Sequence, residues 1–442
     1  MRGPIIVVAL LHAVPAAPAF VGTARAFALR RRSQSCCVAA NSAATPIWDA
    51  FSSFNVGVVW SGTATMVDPA TAVPKATVRY TQRAFAASGS GALRLVTTTT
   101  DGGRASETAR LKSLDADLDG SYSAEHAAPL EMLALLRQKA TDGETDEYEG
   151  SDVGDGDTRL LELSLACTDR ERRRVLLVYA GGKLTQIVCL LEKRVDGQSA
   201  DGEGEDAEEN AKDADGGAGA SQIIPSMTLY SLLGSWVGDA CVRTPGQRPS
   251  VKAAARGFGK FTKAGPRDAG GKGATSDGEL PVRTAVFKAR LTYSWDGQKA
   301  VARRLGVTSF DGGKLQEIGS VGELCTTSST FYDHELVRFP TDASLPSILL
   351  LPADTYVLAP AILPTGDAEP FPFSTEFGAV LEPGEGFGWK GYQPSEDDKE
   401  GDQGEGAPPP DESDANRLVR IQRLYAADGS FASGTTSLCT LE

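Results

Sequence analysis

Histidine is scarce in this chain, with three in 442 residues. One of them, His12, lies in an N-terminal segment unlike the rest, which leaves His126 and His334. No His pair has the spacing of a metal site, and no serine stands on an elbow with apolar flanks. General acid–base catalysis needs a base held against its partner, and the order of residues offers no such pair. His334, between Asp333 and Glu335, reads as a surface residue. The cysteines are equally uninformative about metal. Cys36 and Cys37 fall in the N-terminal segment, and Cys167, Cys189, Cys241, Cys325 and Cys439 are odd in number with no close pair. That excludes a zinc pattern and argues against a disulfide framework, so buried free thiols are expected.

Carboxylates are missing before Asp49. The apolar core Ile5 to Leu11 is far short of the ~20 residues that cross a bilayer as a helix, so no transmembrane helix is expected there. Ala17-Pro18-Ala19 then supplies small residues for a signal peptidase, with Phe20 directly after. Arg25, Arg30, Arg31, Arg32, Ser33 and Ser35 follow, the composition that organelle import reads. This order resembles the bipartite presequence of plastids acquired by secondary endosymbiosis. Residues 1–45 are therefore set apart from the fold, and the plastid stroma of an alga is the expected address.

The formal net charge of −14 is unevenly placed. Stretches 141–158, 195–222 and 393–416 hold much of the acid among Gly, Ala and Ser, and the remainder is slightly basic. Such segments bury too little apolar surface to offset the entropy of ordering, so they read as disordered acidic insertions and a linker. The basic run from Arg243 to Arg283 is Gly-rich with little aromatic interleaving, which points to a loop insertion near 245–280 and not to nucleic-acid binding.

An internal repeat organises the rest. Trp60-x-Gly62-x-Ala64 recurs as Trp236-x-Gly238-x-Ala240. Arg174 stands five residues before Tyr179-Ala180, and Arg420 five before Tyr425-Ala426; both copies then reach Cys-x-Leu-Glu, at Cys189–Glu192 and Cys439–Glu442. Between these marks the period is two. Phe287, Ala289, Leu291, Tyr293 and Trp295 alternate with polar residues, Asp296-Gly297 makes a hairpin turn, and a return strand runs to Thr308. Further strands read at 77–85, 93–98, 159–167, 175–179, 184–191, 315–323, 377–381 and 418–425, with one short helix at 130–139. Many short strands with Gly turns predict an all-β chain of two tandem antiparallel β-barrels, one over 46–194, an acidic linker over 195–222, and a second over 223–442.

Gly234-Ser235-Trp236 is similar to the Gly-x-Trp signature of lipocalins. With Ile47-Trp48-Asp49-Ala50-Phe51, the Leu351-Pro352 turn, Glu376-Phe377-Gly378 and Arg420-x-x-Arg423-x-Tyr425, it resembles a cyanobacterial and plastid family of two lipocalin-like (calycin) domains known only as a domain of unknown function. The chain departs from that pattern by lacking a Trp after Gly378 and by placing Trp60 after Gly57-x-x. The resemblance implies that Trp60 and Trp236 seal the barrel floors, each packed by an arginine of the last strands: Arg174 in the first copy, Arg420 or Arg423 in the second. More distantly, calycins include the S-type lyases that attach bilins to phycobiliproteins, which implies a bilin, another pigment or a lipid as ligand.

Two motifs lead nowhere further. Asp115 to Gly120 opens like a calcium loop, but the twelfth position is His126 and not the bidentate Glu of an EF-hand, so it reads as a turn. Gly270 to Thr275 lacks the spacing of a phosphate loop. Tyr293, Trp295 and Arg303 flank the strongest hairpin and offer the mixture of apolar and polar groups that lines a ligand cavity. Three readings follow: a barrel that binds a hydrophobic small molecule, a lyase- or isomerase-type enzyme acting on one from an Asp or Glu inside a barrel, and a scaffold with solid barrels.

Overall fold

The Asp296-Gly297 turn shows how sequence makes this fold. Gly297 takes the left-handed φ of +80°, and Asp296 Oδ1 accepts from the amides of Gln298 and Ala300, so the chain reverses and its flanking alternation pairs as a hairpin. Repetition of that event builds the molecule. A computed structural model describes residues 47–195, 226–244, 283–381 and 416–442, apart from 88–91, 101, 118, 143–157, 169, 309–313, 329–332, 339–345 and 365–370. The expected presequence, the acidic linker and most of the acidic and basic insertions lie outside the described residues. No described helix is long and apolar enough to cross a membrane.

The strands close into two antiparallel barrels. After helix α1 (Ile47–Asn55), the first barrel runs β1 (Val59–Val67), β2 (Pro74–Ala86), β3 (Ala92–Thr99), β4 (Arg104–Ala116), β5 (Tyr122–His126), helix α2 (Glu131–Asp142), β6 (Thr158–Ala166), β7 (Glu171–Ala180) and β8 (Lys183–Arg194). Strand β1 pairs with both β2 and β8 and shuts the ring. The second barrel runs β9 (Gly234–Thr244), β10 (Arg283–Trp295), β11 (Ala300–Thr308), β12 (Lys314–Ser328), β13 (Asp333–Arg338), β14 (Pro346–Leu351), β15 (Thr355–Pro360), β16 (Phe373–Leu381), β17 (Arg417–Tyr425) and β18 (Phe431–Leu441). Here β9 closes the ring between β18 and β10.

The Trp-x-Gly repeat marks the closing seam in both. A Cβ on Gly62 would stand 1.9 Å from the Leu191 carbonyl oxygen, and a Cβ on Gly238 would stand 1.9 Å from that of Leu438. Only glycine allows the first strand to come this close to the last. Register then extends the match around each ring. Gly62 pairs with Glu192 and Gly238 with Cys439; Glu192 pairs with Arg172 and Cys439 with Leu418. Both rings carry a register shift at the same place, Val178/Tyr179 and Leu424/Tyr425. The Cys-x-Leu-Glu match is thereby out of structural register: Glu192 corresponds to Cys439, three residues away from the correspondence the letters suggest. Counting the same way, β13 and β14 have no counterpart among the described residues of the first barrel, where β4 pairs directly with β5.

The barrels share a wall. Leu161, Leu163 and Leu165 of β6 and Val175, Leu177 and Tyr179 of β7 point out of the first ring and form one core cluster with Phe377, Ala379, Ile421 and Tyr425 of the second. These strands are buried on both faces, which explains their near-continuous apolar runs. Polar groups tie the rim of this wall: Arg243 to Asp115 and Asp117, and Arg423 to the carbonyl and hydroxyl of Ser123 and the hydroxyl of Ser113.

Candidate functional site

Strand β5 is only five residues long and every one is buried. Alternation turns Tyr122, Ala124 and His126 into the first barrel, where they meet Glu162 of β6, Arg172 and Arg174 of β7, and Glu192 of β8. Glu162 Oε1 accepts from Tyr122 Oη and from Arg174 Nη1, each at 2.6 Å, and its Oε2 lies 2.6 Å from His126 Nε2. Glu192 accepts from Arg172 at 2.7 and 3.1 Å, from Arg174 at 2.6 and 2.7 Å, and from Tyr80 at 2.7 Å. Arg174 also donates to Gln82 Oε1, and Arg172 to Asn55 Oδ1.

Burial alone would raise both carboxyls. The guanidiniums outweigh it, so Glu162 is held well below the usual carboxylate range and Glu192 is brought down to about 2. Burial beside these anions pushes the phenols of Tyr122 and Tyr80 up. With Glu162 ionised it is an acceptor only, so His126 Nε2 carries the proton. Nδ1 is buried and has no hydrogen-bond partner among the described residues.

A small cavity of about 20 Å³ reaches this polar end. Its walls are apolar: Phe51 of α1, Leu93 and Leu95 of β3, and Leu111 of β4. Phe51 stands edge-on to Tyr122 with centroids 4.9 Å apart, so α1 forms one side of the opening.

The second barrel repeats part of this arrangement. Tyr122, Glu162 and Arg174 correspond by register to Tyr356, Glu376 and Arg420, since Tyr122 pairs with Ser164 and Tyr356 with Gly378, which in turn pair with Arg174 and Arg420. Tyr356 Oη donates to Glu376 Oε1 at 2.8 Å and Arg420 Nη1 to Oε2 at 3.0 Å. Gly378 is required here, because a Cβ would fall 2.2 Å from the Tyr356 ring. The lumens then differ. Where the first barrel has Ala84 and Leu95 on its pocket wall, the second has Tyr293 and Arg303. Arg303 donates to Tyr293 Oη at 3.2 Å and to Glu376 at 2.8 Å, so the pair fills that space.

No family model matches the chain. No curated protein matches it either. Among solved structures, a crystal structure of a protein of unknown function from the DUF3598 family of Nostoc punctiforme aligns over 90% of this chain and 100% of its own, with 14% identity and a TM-score of 0.49. The site is therefore read from its residues alone.

The residues singled out from sequence fall as follows. Tyr293 and Arg303 face the second lumen together, and Trp295 stands at its edge against Tyr230 with centroids 5.5 Å apart; none of the three lines the pocket of the first barrel. Trp60 is buried under a guanidinium, but the guanidinium is that of Arg172, whose Cζ lies 4.0 Å from the ring centroid. Arg174 sits one inward-facing position further along β7 and serves the two carboxylates instead. In the second copy Leu418 takes the place of Arg172 and packs in the cluster that holds Trp236, and the Trp236 indole donates to the Leu232 carbonyl at 2.8 Å. Arg420 serves Glu376 and Ser437. Arg423, three residues on and so of opposite facing, leaves the lumen for the wall between the barrels. His334 is buried, not on the surface: Ser226 Oγ lies 3.1 Å from its Nδ1, and burial depresses its basicity.

Sequence reasoning passed over Tyr122, His126 and Glu162. The available signal was Glu162 itself, a lone carboxylate inside the apolar run Leu160 to Ala166. A buried charge in such a run needs partners.

Proposed function

We propose that the first barrel binds a compact lipophilic molecule and that the second barrel is its structural support. The observation that carries this reading is the pocket with Phe51, Leu93, Leu95 and Leu111 as walls and a hydrogen-bonding group at its inner end. That combination is what small-molecule sites use. The enclosed space is about 20 Å³, room for about one water, so a guest enters only as the wall side chains move apart, which favours a compact lipid or pigment fragment over a whole open-chain bilin. Filling of the second lumen by Tyr293, Arg303 and Tyr356 supports the division of labour. The plastid address belongs to the same proposal, supported by the arginine-rich, carboxylate-free residues that precede α1.

Titration of the chain from residue 46 onward with the fluorescent lipophile N-phenyl-1-naphthylamine tests the reading. One saturable site is expected, and it is lost in Leu95→Trp, which fills the pocket. Absence of saturable binding, or equal binding to Leu95→Trp, refutes it.

A further inference from the structure

No residue of β2 or β3 joins the core cluster that the two barrels share. Their outer face, continued by the first half of β4, stays open and carries charge of one sign. Register sets Arg83 beside Val96, Phe85 beside Arg94, Thr98 beside Arg104 and Ala92 beside Arg110. With Arg79, five arginines thus share this face, while Val78, Tyr80, Leu93, Leu95 and Ala109 turn inward to the core. Arg79, Arg94, Arg104 and Arg110 are exposed, and Arg83 is half-buried. The three strands contain two carboxylates, and neither offsets this charge. Glu107 pairs with Leu95, so it turns inward, where it accepts from the Glu131 amide. Asp115 lies past the bulge, buried under Arg243. Asp101, in the turn before β4, falls outside the described residues. None of the five arginines forms an ion pair with a described residue.

We infer that this face is a docking surface for a layer of anionic lipid headgroups. Alternate residues of three neighbouring strands spread the guanidiniums over about 10 by 20 Å, a two-dimensional array and not a track for one strand of nucleic acid. A single strand also needs open aromatic rings on which its bases stack. Phe85, the one described aromatic residue of this face, is covered, with Arg83 Cζ 4.7 Å and Arg94 Cζ 5.6 Å from its centroid. Between the arginines stand Thr81, Thr98, Ser106 and Thr108, too short and polar to form the apolar centre of a protein interface. Headgroups require neither a pocket nor a matching shape, and each surface arginine adds its own attraction. The chain as a whole is acidic, but charges farther away than about 10 Å are screened at 0.1 M salt, so the local face decides. Docking here does not depend on what the lumen binds.

Sedimentation with vesicles tests this on the chain from residue 46 onward, which leaves out the arginines of the N-terminal segment. Vesicles of phosphatidylglycerol and phosphatidylcholine in equal parts are expected to carry the chain down at about 0.1 M NaCl. They should release it at about 1 M, where the Debye length shrinks to about 3 Å. Vesicles of phosphatidylcholine alone leave it in solution. In Arg94→Gln/Arg110→Gln the lipid concentration for half-maximal binding rises roughly 25-fold, about fivefold for each charge. Both side chains are exposed, so the melting temperature should not change. Arg290→Gln, at an exposed arginine of the second barrel paired with Glu442, keeps native binding. The assignment is overturned if anionic vesicles do not bind, if neutral vesicles bind equally, or if the double variant binds as the native chain does. Tighter binding of an oligonucleotide, lost in the same double variant, would transfer the face to nucleic acid and overturn it too.

Discussion

Arg243 of the second barrel grips Asp115 of the first with two hydrogen bonds, Nε to Oδ1 at 2.8 Å and Nη2 to Oδ2 at 3.0 Å. Its remaining nitrogen reaches Asp117 at 2.7 Å. The acidic loop that opens like a calcium site thus takes a guanidinium as its cation. Asp115 approaches over Gly434, where a Cβ would stand 1.8 Å from Oδ2. Arg243→Ala leaves two carboxylates behind, one fully buried, and is expected to destabilise by about 3–5 kcal/mol. Gly434→Ala is expected to act in the same direction, and in Asp115→Ala its effect shrinks. Thermal unfolding of the native chain, the three single variants and the Asp115→Ala/Gly434→Ala double variant measures this; additive losses in the double variant would show that the two sites do not touch.

Asp119 of the same loop is raised to about 6, by burial first and then by Asp117. A carboxyl with a raised folded value favours the folded state when protonated. That contribution is present below its unfolded value of about 3.8 and disappears as pH rises through 6. Asp119→Asn keeps an acceptor for the Ser121 amide and is expected to stabilise by about 1–3 kcal/mol at pH 7. At pH 3.5 the gain should vanish, as melting at the two pH values will show.

Glu192 and Glu376 carry the opposite sign, because burial is overcome by Arg172 and Arg174 in one case and by Arg303 and Arg420 in the other, and both fall to about 2. Their contribution is present above the ordinary value of 4.5 and is lost as pH drops toward 2. Melting temperature plotted from pH 6 to pH 2 is expected to fall more steeply for the native chain than for Glu376→Gln. Parallel curves would remove Glu376 from the acid transition.

At the seams, Gly62→Ala and Gly238→Ala each place a methyl against a backbone carbonyl that cannot rotate away. A cost of about 3 kcal/mol or more is expected for either one. Hydrogen exchange should show the loss first along β1 and β8 for Gly62→Ala, and along β9 and β18 for Gly238→Ala. Uniform loosening across both rings would contradict the seam assignment.

In the second lumen, Tyr293→Ala with Arg303→Leu places there the Ala84 and Leu95 side chains of the first barrel's pocket wall. An apolar cavity is expected, with a stability loss of about 3–5 kcal/mol. Xenon binding followed by ¹²⁹Xe NMR detects such a void. A double variant that takes up no more xenon than the native chain would mean that other side chains fill the space.

Much of this architecture was legible. Trp60-x-Gly62 and Trp236-x-Gly238 marked both seams, because a glycine forced by close approach has no substitute. The expected hairpins at 175–191 and 287–308 are where the pairing places them. What escaped was what breaks the period. Strand β5 reads Tyr-Ser-Ala-Glu-His, small and polar, since its inward Tyr122 and His126 bond Glu162 and its outward Ser123 bonds Arg423 of the second barrel. No apolar alternation survives in such a strand. The extra β13 and β14 lack a counterpart in the repeat that would have announced them. Arg172 was passed over for Arg174 because spacing to Tyr179 singles out the latter, whereas the ring contact depends on which inward position lies nearest β1.

The wall between the barrels has a consequence of its own. Leu163 corresponds by register to Phe377, Val175 to Ile421 and Tyr179 to Tyr425, and all six lie in one cluster. The same surface thus meets itself, as in a homodimer about a two-fold axis, although a single chain supplies both sides. A lone barrel with this face needs a copy of itself to bury it. Tethering freed the two copies to diverge, so that one position is Leu177 on one side and Arg423 on the other, and one lumen kept its opening while the other closed.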